Sequence, residues 1–302
     1  MSDIHDREEV RSGMVAIAGP PNAGKSTLLN CLLGQKISIV SPKPQTTRNR
    51  ILGVLNDEDF QIVLIDTPGL HEADQPLNKE MVRVAMDSLG DVDAILYLLD
   101  VRKLLKEKEE DGSSPGKYLA KASVPTFLVL NKTDLVEKHR LLPLIQKYSA
   151  AFPFHTILPI SAKTADGTDR LVTEIIKILP QGPRYFPEDI PTTSSERFLV
   201  SEIIREKVFL STSQEIPYST AVVIDDFKEE AEKITIHASI VLEKNSQKGI
   251  IIGKGGQKLK NIGIAARKDI ERLVGMKVVL KLLVKVKKNW SQNSSFLKEL
   301  GL

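Results

Sequence analysis

Short apolar runs alternate with helical patterns through the first half of the chain. The runs that predict buried strands cover residues 14–18, 61–65, 94–99, 126–130 and 157–160. The segments with helical spacing between and after them cover residues 26–33, 81–88, 141–148 and 170–178. Strands and helices that alternate at this spacing favour an α/β domain, in which a mostly parallel sheet is covered by helices on both faces.

The pattern changes at residue 180, from which four prolines (180, 183, 187 and 191) are followed by Thr192, Thr193, Ser194 and Ser195. This stretch cannot continue a helix or a central strand, so it predicts an interdomain linker over 181–195. A helix (196–210), two alternating strands (218–225 and 233–242), two helices broken at 253–256 and a third strand (277–286) follow. The order α-β-β-α-α-β, with a short terminal helix, predicts a second, α+β domain. We therefore expect an N-terminal extension at 1–12 and domains at 13–180 and 196–302, with a surface loop at 103–116.

Charge separates the same two parts of the chain. The net formal charge of the 302 residues is only +3. Residues 192–302, however, carry 19 basic and 13 acidic side chains, and residues 244–288 carry 13 basic against 2 acidic. A basic second domain after an acidic first one suggests a polyanionic partner for the second.

Composition excludes several classes of protein. The only cysteine, Cys31, cannot form an internal disulfide, which fits a reducing compartment. The charged N-terminus is not a signal peptide, and no apolar run approaches the ~20 residues of a membrane span. We expect a cytoplasmic protein.

A phosphate-binding loop follows the first predicted strand. Gly19-Pro-Pro-Asn-Ala-Gly-Lys-Ser26 matches G-x-x-x-x-G-K-[ST] and directly precedes a predicted helix, which is the context that the motif requires. Backbone N–H groups at such a helix start converge on a phosphate, Lys25 lies on the β- and γ-phosphates, and the Ser26 hydroxyl binds Mg²⁺. The predicted phosphate-binding residues are Gly19, Asn22, Ala23, Gly24, Lys25, Ser26, Thr27 and Gly69.

Two further segments predict a magnesium site and its switch. Asp66-Thr-Pro-Gly69 follows the second strand, where a carboxylate can hold Mg²⁺ through water and the Gly69 N–H can reach a γ-phosphate. Between the two motifs, Thr47, with Thr46 as the alternative, is the threonine expected to close on the metal. The predicted magnesium ligands are thus Ser26, Thr47 and Asp66. The predicted switch residues are Thr46, Thr47, Asp66, Thr67, Pro68, Gly69 and Leu70.

The base-recognition residues follow the last two strands of the first domain. In Asn131-Lys-Thr-Asp134 the Asp134 carboxylate can accept from both N–H donors of guanine, which adenine lacks. Asn131 would hold the loop, Lys132 would lie along the base, and Ser161-Ala-Lys163 would support it through a backbone N–H. An ATP-dependent enzyme is the alternative that Asn131 and Asp134 disfavour. The predicted guanine site is Asn131, Lys132, Asp134, Ser161, Ala162 and Lys163.

The order of these sequence motifs resembles the order found in the translation-factor-like branch of GTPases. Within that branch, P-N-A-G-K-S, P-Q-T-T-R and D-T-P-G-L resemble the motifs of the Era family. Leu70 stands where Ras-type GTPases have the glutamine that orients water, so we expect slow intrinsic hydrolysis. In several relatives an asparagine at the position of Asn22 binds a potassium ion that bridges the phosphates. Stimulation by K⁺ is therefore a hypothesis for this chain, and the alternative is that Asn22 only holds the loop.

The second domain resembles a type II KH domain, in which a G-x-x-G loop between two helices lets an RNA backbone approach main-chain N–H groups. One such match is expected by chance in a chain with 18 glycines, so the flanking helices and lysines carry the argument. The predicted RNA-binding residues are Ile252, Gly253, Lys254, Gly255, Gly256, Lys258, Lys260, Arg267 and Lys268. Ile251 and Ile252 are candidates for the floor of the groove.

The resemblance to the Era family extends over nearly the whole chain, through segments such as Ser201-Glu-Ile-Ile-Arg-Glu-Lys207 and Val284-Lys-Val-Lys287. It implies a monomeric GTP-regulated factor that uses GTP, GDP and Mg²⁺. It further implies binding of the 16S rRNA 3′ end and of the 30S subunit or its precursor, a role in rRNA processing and 30S assembly, and no DNA partner. It also implies weak peripheral association with the cytoplasmic face of the inner membrane. The alternative is a membrane-surface GTPase whose basic C-terminal domain binds anionic lipid.

Overall fold

The computed structural model describes residues 10–71, 76–106, 115–120, 122–213 and 215–302. These residues form two compact units. The first unit comprises the described residues of 10–37, 47–71 and 81–193. The second comprises those of 38–46, 76–80 and 194–302. A segment that precedes the predicted magnesium ligand Thr47 is therefore grouped with the C-terminal part of the chain.

The first unit is an α/β sheet domain, as predicted. Its strands are β1 (Val10–Ala18), β2 (Ile51–Asn56), β3 (Phe60–Asp66), β4 (Ala94–Asp100), β5 (Thr126–Asn131), β6 (Thr156–Pro159) and β7 (Gln181–Gly182). Its helices are α1 (Lys25–Leu33), most of α2 (Pro76–Asp87), α3 (Val101–Lys106), α4 (Pro115–Leu119), α5 (Leu141–Ala151) and α6 (Thr168–Ile178).

The strand order is β2-β3-β1-β4-β5-β6, with β7 antiparallel to the start of β1. All of these neighbours are parallel except β2 and β3. Every residue of β4 and β5 is buried, which explains why these strands are continuous apolar runs rather than alternating ones. Because parallel strands end at the same edge of the sheet, the segments after β1, β3, β5 and β6 meet there.

The second unit has the predicted α-β-β-α-α-β order. Its elements are α7 (Glu196–Ser211), β8 (Thr220–Glu229), β9 (Lys233–Leu242), α8 (Asn245–Ile252), α9 (Gln257–Val274), β10 (Lys277–Val286) and α10 (Ser294–Glu299). The sheet order is β10-β9-β8, with β9 and β10 parallel. Aliphatic residues of α7, α8 and α9 pack on one face of this sheet, among them Ile204, Ile251, Ile262 and Ile270.

The structure differs from the sequence expectations in three segments. The short strand β2, which contains Gly53, is not among the predicted strands. The predicted linker is held to the first unit along much of its length: the Arg184 guanidinium donates to carbonyls of Asp57, Glu58 and Phe60, and Val54 N donates to Pro191 O. Prolines lack an N–H donor, but the other residues of the segment still form hydrogen bonds: the N–H groups of Tyr185 and Phe186 both donate to Gln61 Oε1. The predicted loop at 103–116 overlaps α3 and α4, and its residues 107–114 lie outside the described part of the chain.

Candidate functional site

The loop between β1 and α1 forms an anion-binding helix start. Gly24 is the N-cap of α1 with a φ of 102°, and no side chain caps the helix. The N–H groups of Gly24, Lys25, Ser26 and Thr27 therefore remain for an anion. A Cβ on Gly24 would lie 2.3 Å from Asn131 Nδ2, so only glycine fits between the two loops.

Lys25 is buried at the start of α1 and is only 6% exposed. Its ammonium donates to the carbonyls of Gly19 at 3.0 Å and Pro20 at 3.1 Å. Burial lowers the pKa of Lys25 to about 8, although the nearby Asp66 carboxylate acts in the opposite direction. A buried ammonium with only carbonyl acceptors is a strong attractor for phosphate oxygens.

The predicted magnesium ligands lie together. Ser26 Oγ is 2.7 Å from both Thr47 Oγ1 and Asp66 Oδ2. Hydroxyl and carboxylate oxygens are the ligands that Mg²⁺ prefers, and adjacent ligands of an octahedral Mg²⁺ lie about 2.9 Å apart, as follows from metal–oxygen distances of 2.0–2.1 Å. The donor set therefore fits the ion. Thr46 does not join this group, because its hydroxyl donates to Lys43 O at 2.8 Å.

The segment after β3 is buried against the phosphate loop. Thr67 Oγ1 donates to Ile17 O at 2.8 Å, and Leu70 N donates to Gly19 O at 3.0 Å. Pro68 and Gly69 are buried between these anchors. Leu70 is 2% exposed and offers no polar group to a water molecule.

Asn131 ties three loops together at the end of β5. Its Nδ2 donates to Ala23 O at 2.8 Å, and its Oδ1 accepts from Lys132 N at 2.8 Å and Ala162 N at 3.0 Å. The phosphate loop and the segment after β6 are thereby fixed by one buried amide. This is the bracing role that the sequence predicted for Asn131.

Asp134 is exposed, and its Oδ1 accepts from the buried Ser161 Oγ at 2.7 Å. That hydrogen bond orients the carboxylate from one side. Ala162 is buried next to Ser161, whereas Lys163 is exposed. The structure therefore brings Asp134, Ser161 and Ala162 to the Asn131 loop, with Lys163 at the rim.

Asp100 is a site residue that sequence reasoning missed. It ends β4 beside Asn131 in the sheet register, and it is buried. Its Oδ2 accepts from Lys132 Nζ at 2.7 Å, and Lys132 Nζ also donates to Asn22 O at 2.5 Å. Burial would raise the pKa of Asp100, but hydrogen bonds from Arg102 and Lys132 outweigh it and hold that pKa below its usual value. The available signal was an aspartate at the end of a fully apolar strand.

The G-x-x-G loop of the second unit joins α8 to α9. Gly253, Gly255 and Gly256 all have positive φ, between 59° and 79°. A Cβ on Gly255 or Gly256 would meet no heavy atom within 4 Å, so this backbone is open to a ligand. Lys254 is exposed beside it.

A groove of about 380 Å³ lies between α9 and β10. Its lining residues are Gly256, Leu259, Lys260, Gly263, Ile264, Arg267, Leu280 and Leu282. The predicted RNA-binding residues Gly256, Lys260 and Arg267 belong to it, whereas Ile252, Lys258 and Lys268 are not in the lining. Ile251 does not form the floor of the groove, because it is fully buried in the core. Ile252 is partly exposed but is not in the lining, to which α9 and β10 contribute Leu259, Leu280 and Leu282.

Comparisons with known proteins match both units. A family model described as "50S ribosome-binding GTPase" matches residues 14–132, and one described as "KH domain" matches residues 215–291. The GTPase Era of Geobacter metallireducens is 53% identical over 96% of this chain and 97% of its own length. The GTPase Era of Lacticaseibacillus paracasei is 48% identical over 97% of each chain. This chain belongs to the Era family of GTPases.

Solved Era structures match at full length. The structure of a point variant of Aquifex aeolicus Era bound to GDP and AlF₄⁻ has a TM-score of 0.92 and 39% identity, and the match covers 97% of this chain and 99% of that one. A structure of Era in complex with MgGDPNP and nucleotides 1506–1542 of 16S ribosomal RNA gives the same values. As a member of the Era family, this chain is a GTPase with a P-loop domain followed by a KH domain, as predicted. Among its described residues, no helix has the length and apolarity to cross a membrane.

Proposed function

We propose that this GTPase is a nucleotide-controlled switch that binds the 3′ end of 16S rRNA and acts in rRNA processing and small-subunit assembly. The observation that carries the proposal is the full-length likeness to an Era structure that holds both MgGDPNP and nucleotides 1506–1542 of 16S rRNA. A phosphate site in one unit and an open G-x-x-G loop beside a groove in the other support it.

In the nucleotide site, the helix-start N–H groups and Lys25 bind the phosphates, and Ser26, Thr47 and Asp66 hold Mg²⁺. The ion, when bound, neutralises charge on the phosphate oxygens. Asp134 accepts from the N–H donors of guanine, with Asn131 and Ser161 holding its loop. Adenine would leave the carboxylate without its donors, so the site selects GTP and GDP.

Hydrolysis needs a group that Leu70 does not provide, and the K⁺ hypothesis assigns part of that role to a cation held by Asn22. We expect GTP turnover to be faster in potassium chloride than in sodium chloride at equal ionic strength. Asn22→Ala is expected to remove the difference. Equal rates for the unchanged protein in the two salts would contradict the hypothesis.

In the KH unit, the RNA backbone is expected to lie on Lys254 and the open glycines, with bases in the groove between α9 and β10. The leucines of that groove give an apolar surface against which bases stack, and Lys260 and Arg267 supply charge. Binding should therefore weaken with salt, as phosphate contacts require.

Crosslinking of RNA to the protein in cells, followed by sequencing, tests the proposal. We expect reads concentrated at the 3′ end of 16S rRNA. Purified protein should also bind a short single-stranded RNA copied from that end more tightly with a GTP analogue than with GDP. Equal RNA affinities with the two nucleotides would refute the switch. Crosslinks spread over unrelated RNAs would refute the 3′ end of 16S rRNA as the RNA partner.

Peripheral association with the inner membrane stays a prediction from the resemblance. Vesicles that contain anionic lipid, added to the same binding assay, distinguish it from the RNA role. Binding to vesicles without binding to RNA would favour the membrane-surface alternative.

A further inference from the structure

The segment Ser38–Thr46 belongs to the KH unit, although it precedes a predicted magnesium ligand of the nucleotide site. The chain leaves the first unit after Ile37 and returns to it at Thr47. One peptide bond therefore separates a residue that packs with the KH unit, Thr46, from a residue that contacts Ser26.

Helix α7 holds this segment through polar contacts along its length. Val40 N donates to Glu206 Oε1 at 3.0 Å, and Arg205 Nη2 donates to Thr46 O at 2.5 Å. The Lys43 ammonium donates to the carbonyls of Phe209 and Thr212 at the C-terminal end of α7. Carbonyls at a helix C-terminus interact favourably with a cation, so the positive charge of Lys43 is stabilised at this end of α7.

The Arg205 guanidinium, which donates to Thr46 O, is also held by Glu202 and Phe209. Its guanidinium donates to both carboxylate oxygens of Glu202, at 2.7 and 2.5 Å, and lies 5.2 Å from the centre of the Phe209 ring. Both Arg205 and Glu202 are buried. Removing two charges from water costs free energy, so a buried pair of this kind contributes orientation more than stability.

We propose that Lys43 and Arg205 are positioning residues for the GTPase site, because they dock the Ser38–Thr46 segment on α7 and thereby set Thr47 against Ser26. This inference rests on the proposed role of Thr47 as the switch ligand of Mg²⁺. Neither residue touches nucleotide. Their effect passes through the backbone at Thr46 and belongs to the GTP state, in which a switch threonine closes on the metal.

The first test compares Lys43→Met with Lys138→Met, the same change at an exposed lysine of the first unit. Affinities for GDP and for a non-hydrolysable GTP analogue are measured in Mg²⁺ on the full chain. Because Lys43→Met loses a charged hydrogen-bond donor, its affinity for the GTP analogue should be about tenfold weaker. GDP affinity should stay within about twofold, the scatter of unrelated sites, and Lys138→Met should match the unchanged protein for both.

A second variant guards against a folding defect. Glu202→Gln combined with Arg205→Met removes the donor to Thr46 and leaves no buried charge unpaired. This double variant should show the same selective loss of affinity for the GTP analogue. Equal losses for GDP and the analogue, or no loss in either variant, would overturn the inference.

RNA binding by the unchanged protein distinguishes failure of this inference from failure of the proposed function. If its RNA affinity is the same with the GTP analogue and with GDP, the proposed switch itself fails, whereas the nucleotide affinities of Lys43→Met and of the double variant test the docking of the Ser38–Thr46 segment.

Discussion

Asp134 is an exposed carboxylate oriented by a single hydrogen bond from Ser161 Oγ at 2.7 Å. Asp134→Asn exchanges one acceptor for a donor at the guanine N2–H position. GTP affinity should fall by about a hundredfold or more, as expected for a site left with mismatched polar groups. Xanthosine triphosphate, which carries an oxygen there, should gain affinity.

Competition binding with both nucleotides measures this change. Asp189→Asn, an exposed aspartate outside the base loop, is the matched control and should not alter the preference. An unchanged preference for GTP in Asp134→Asn would remove Asp134 from base recognition.

Lys25 makes the nucleotide-free protein sensitive to alkaline pH, because burial lowers its pKa to about 8 from 10.5. Between these two values the unfolded chain binds the proton that the folded chain has lost. Stability should therefore rise with pH in this window, by roughly 1 kcal/mol per pH unit from this group. Below about pH 8 both states are charged and the slope from Lys25 vanishes.

Urea unfolding of the nucleotide-free protein at several pH values between about 7.5 and 10 tests this slope. Lys25→Met provides the reference, since all other groups titrate alike in both proteins. An identical pH dependence for the two would mean that Lys25 is not the titrating group.

At the scale of elements, helix α9 is bounded by two left-handed glycines, Gly256 at the end of the G-x-x-G loop and Gly275 at its C-terminus. Gly256 and Gly275 both have left-handed φ values, 79° and 69°, and a Cβ on either meets nothing within 4 Å. Aspartate at either position should thus cost about 1 kcal/mol of stability. Only at Gly256 would its charge face the RNA backbone.

Gly256→Asp should therefore abolish RNA binding and leave GTP binding intact, while Gly275→Asp keeps both. Adding Gly255→Asp should deepen the loss. The measurement is RNA affinity and thermal unfolding of both variants side by side. If Gly256→Asp retains RNA binding, the KH assignment of the loop is wrong.

Elements also show where sequence reasoning succeeds. Buried parallel strands such as β4 and β5 are continuous apolar runs, and their carboxyl ends meet, so the loops that carry Ser26, Asp66 and Asn131 could be assigned to one site. The groove floor could not be assigned in the same way. Whether Ile251 or Leu280 faces the groove depends on how α8 and β10 pack on the core, and both positions are equally apolar in the sequence.

At the scale of the whole molecule, the order of domains was predictable, because a proline-rich stretch and a change of charge separate them. The grouping of Ser38–Thr46 with residues 194–302 was not. It depends on contacts such as Arg205 to Thr46 that join residues far apart in sequence, and no local pattern indicates them. Asp100 ends an apolar strand, which is a local signal, but its partner Lys132 follows the neighbouring strand, and only the pairing of the two strands brings them together.

The same grouping has a consequence for synthesis of the chain. The ribosome makes the Ser38–Thr46 segment early, whereas helix α7, on which it docks, begins roughly 150 residues later. At ~5–20 residues per second this is a delay on the order of ten seconds. The same interval covers the synthesis of most of the first unit, which ends at Thr193, so the Ser38–Thr46 segment has no partner helix while the strands and loops of the nucleotide site are being made.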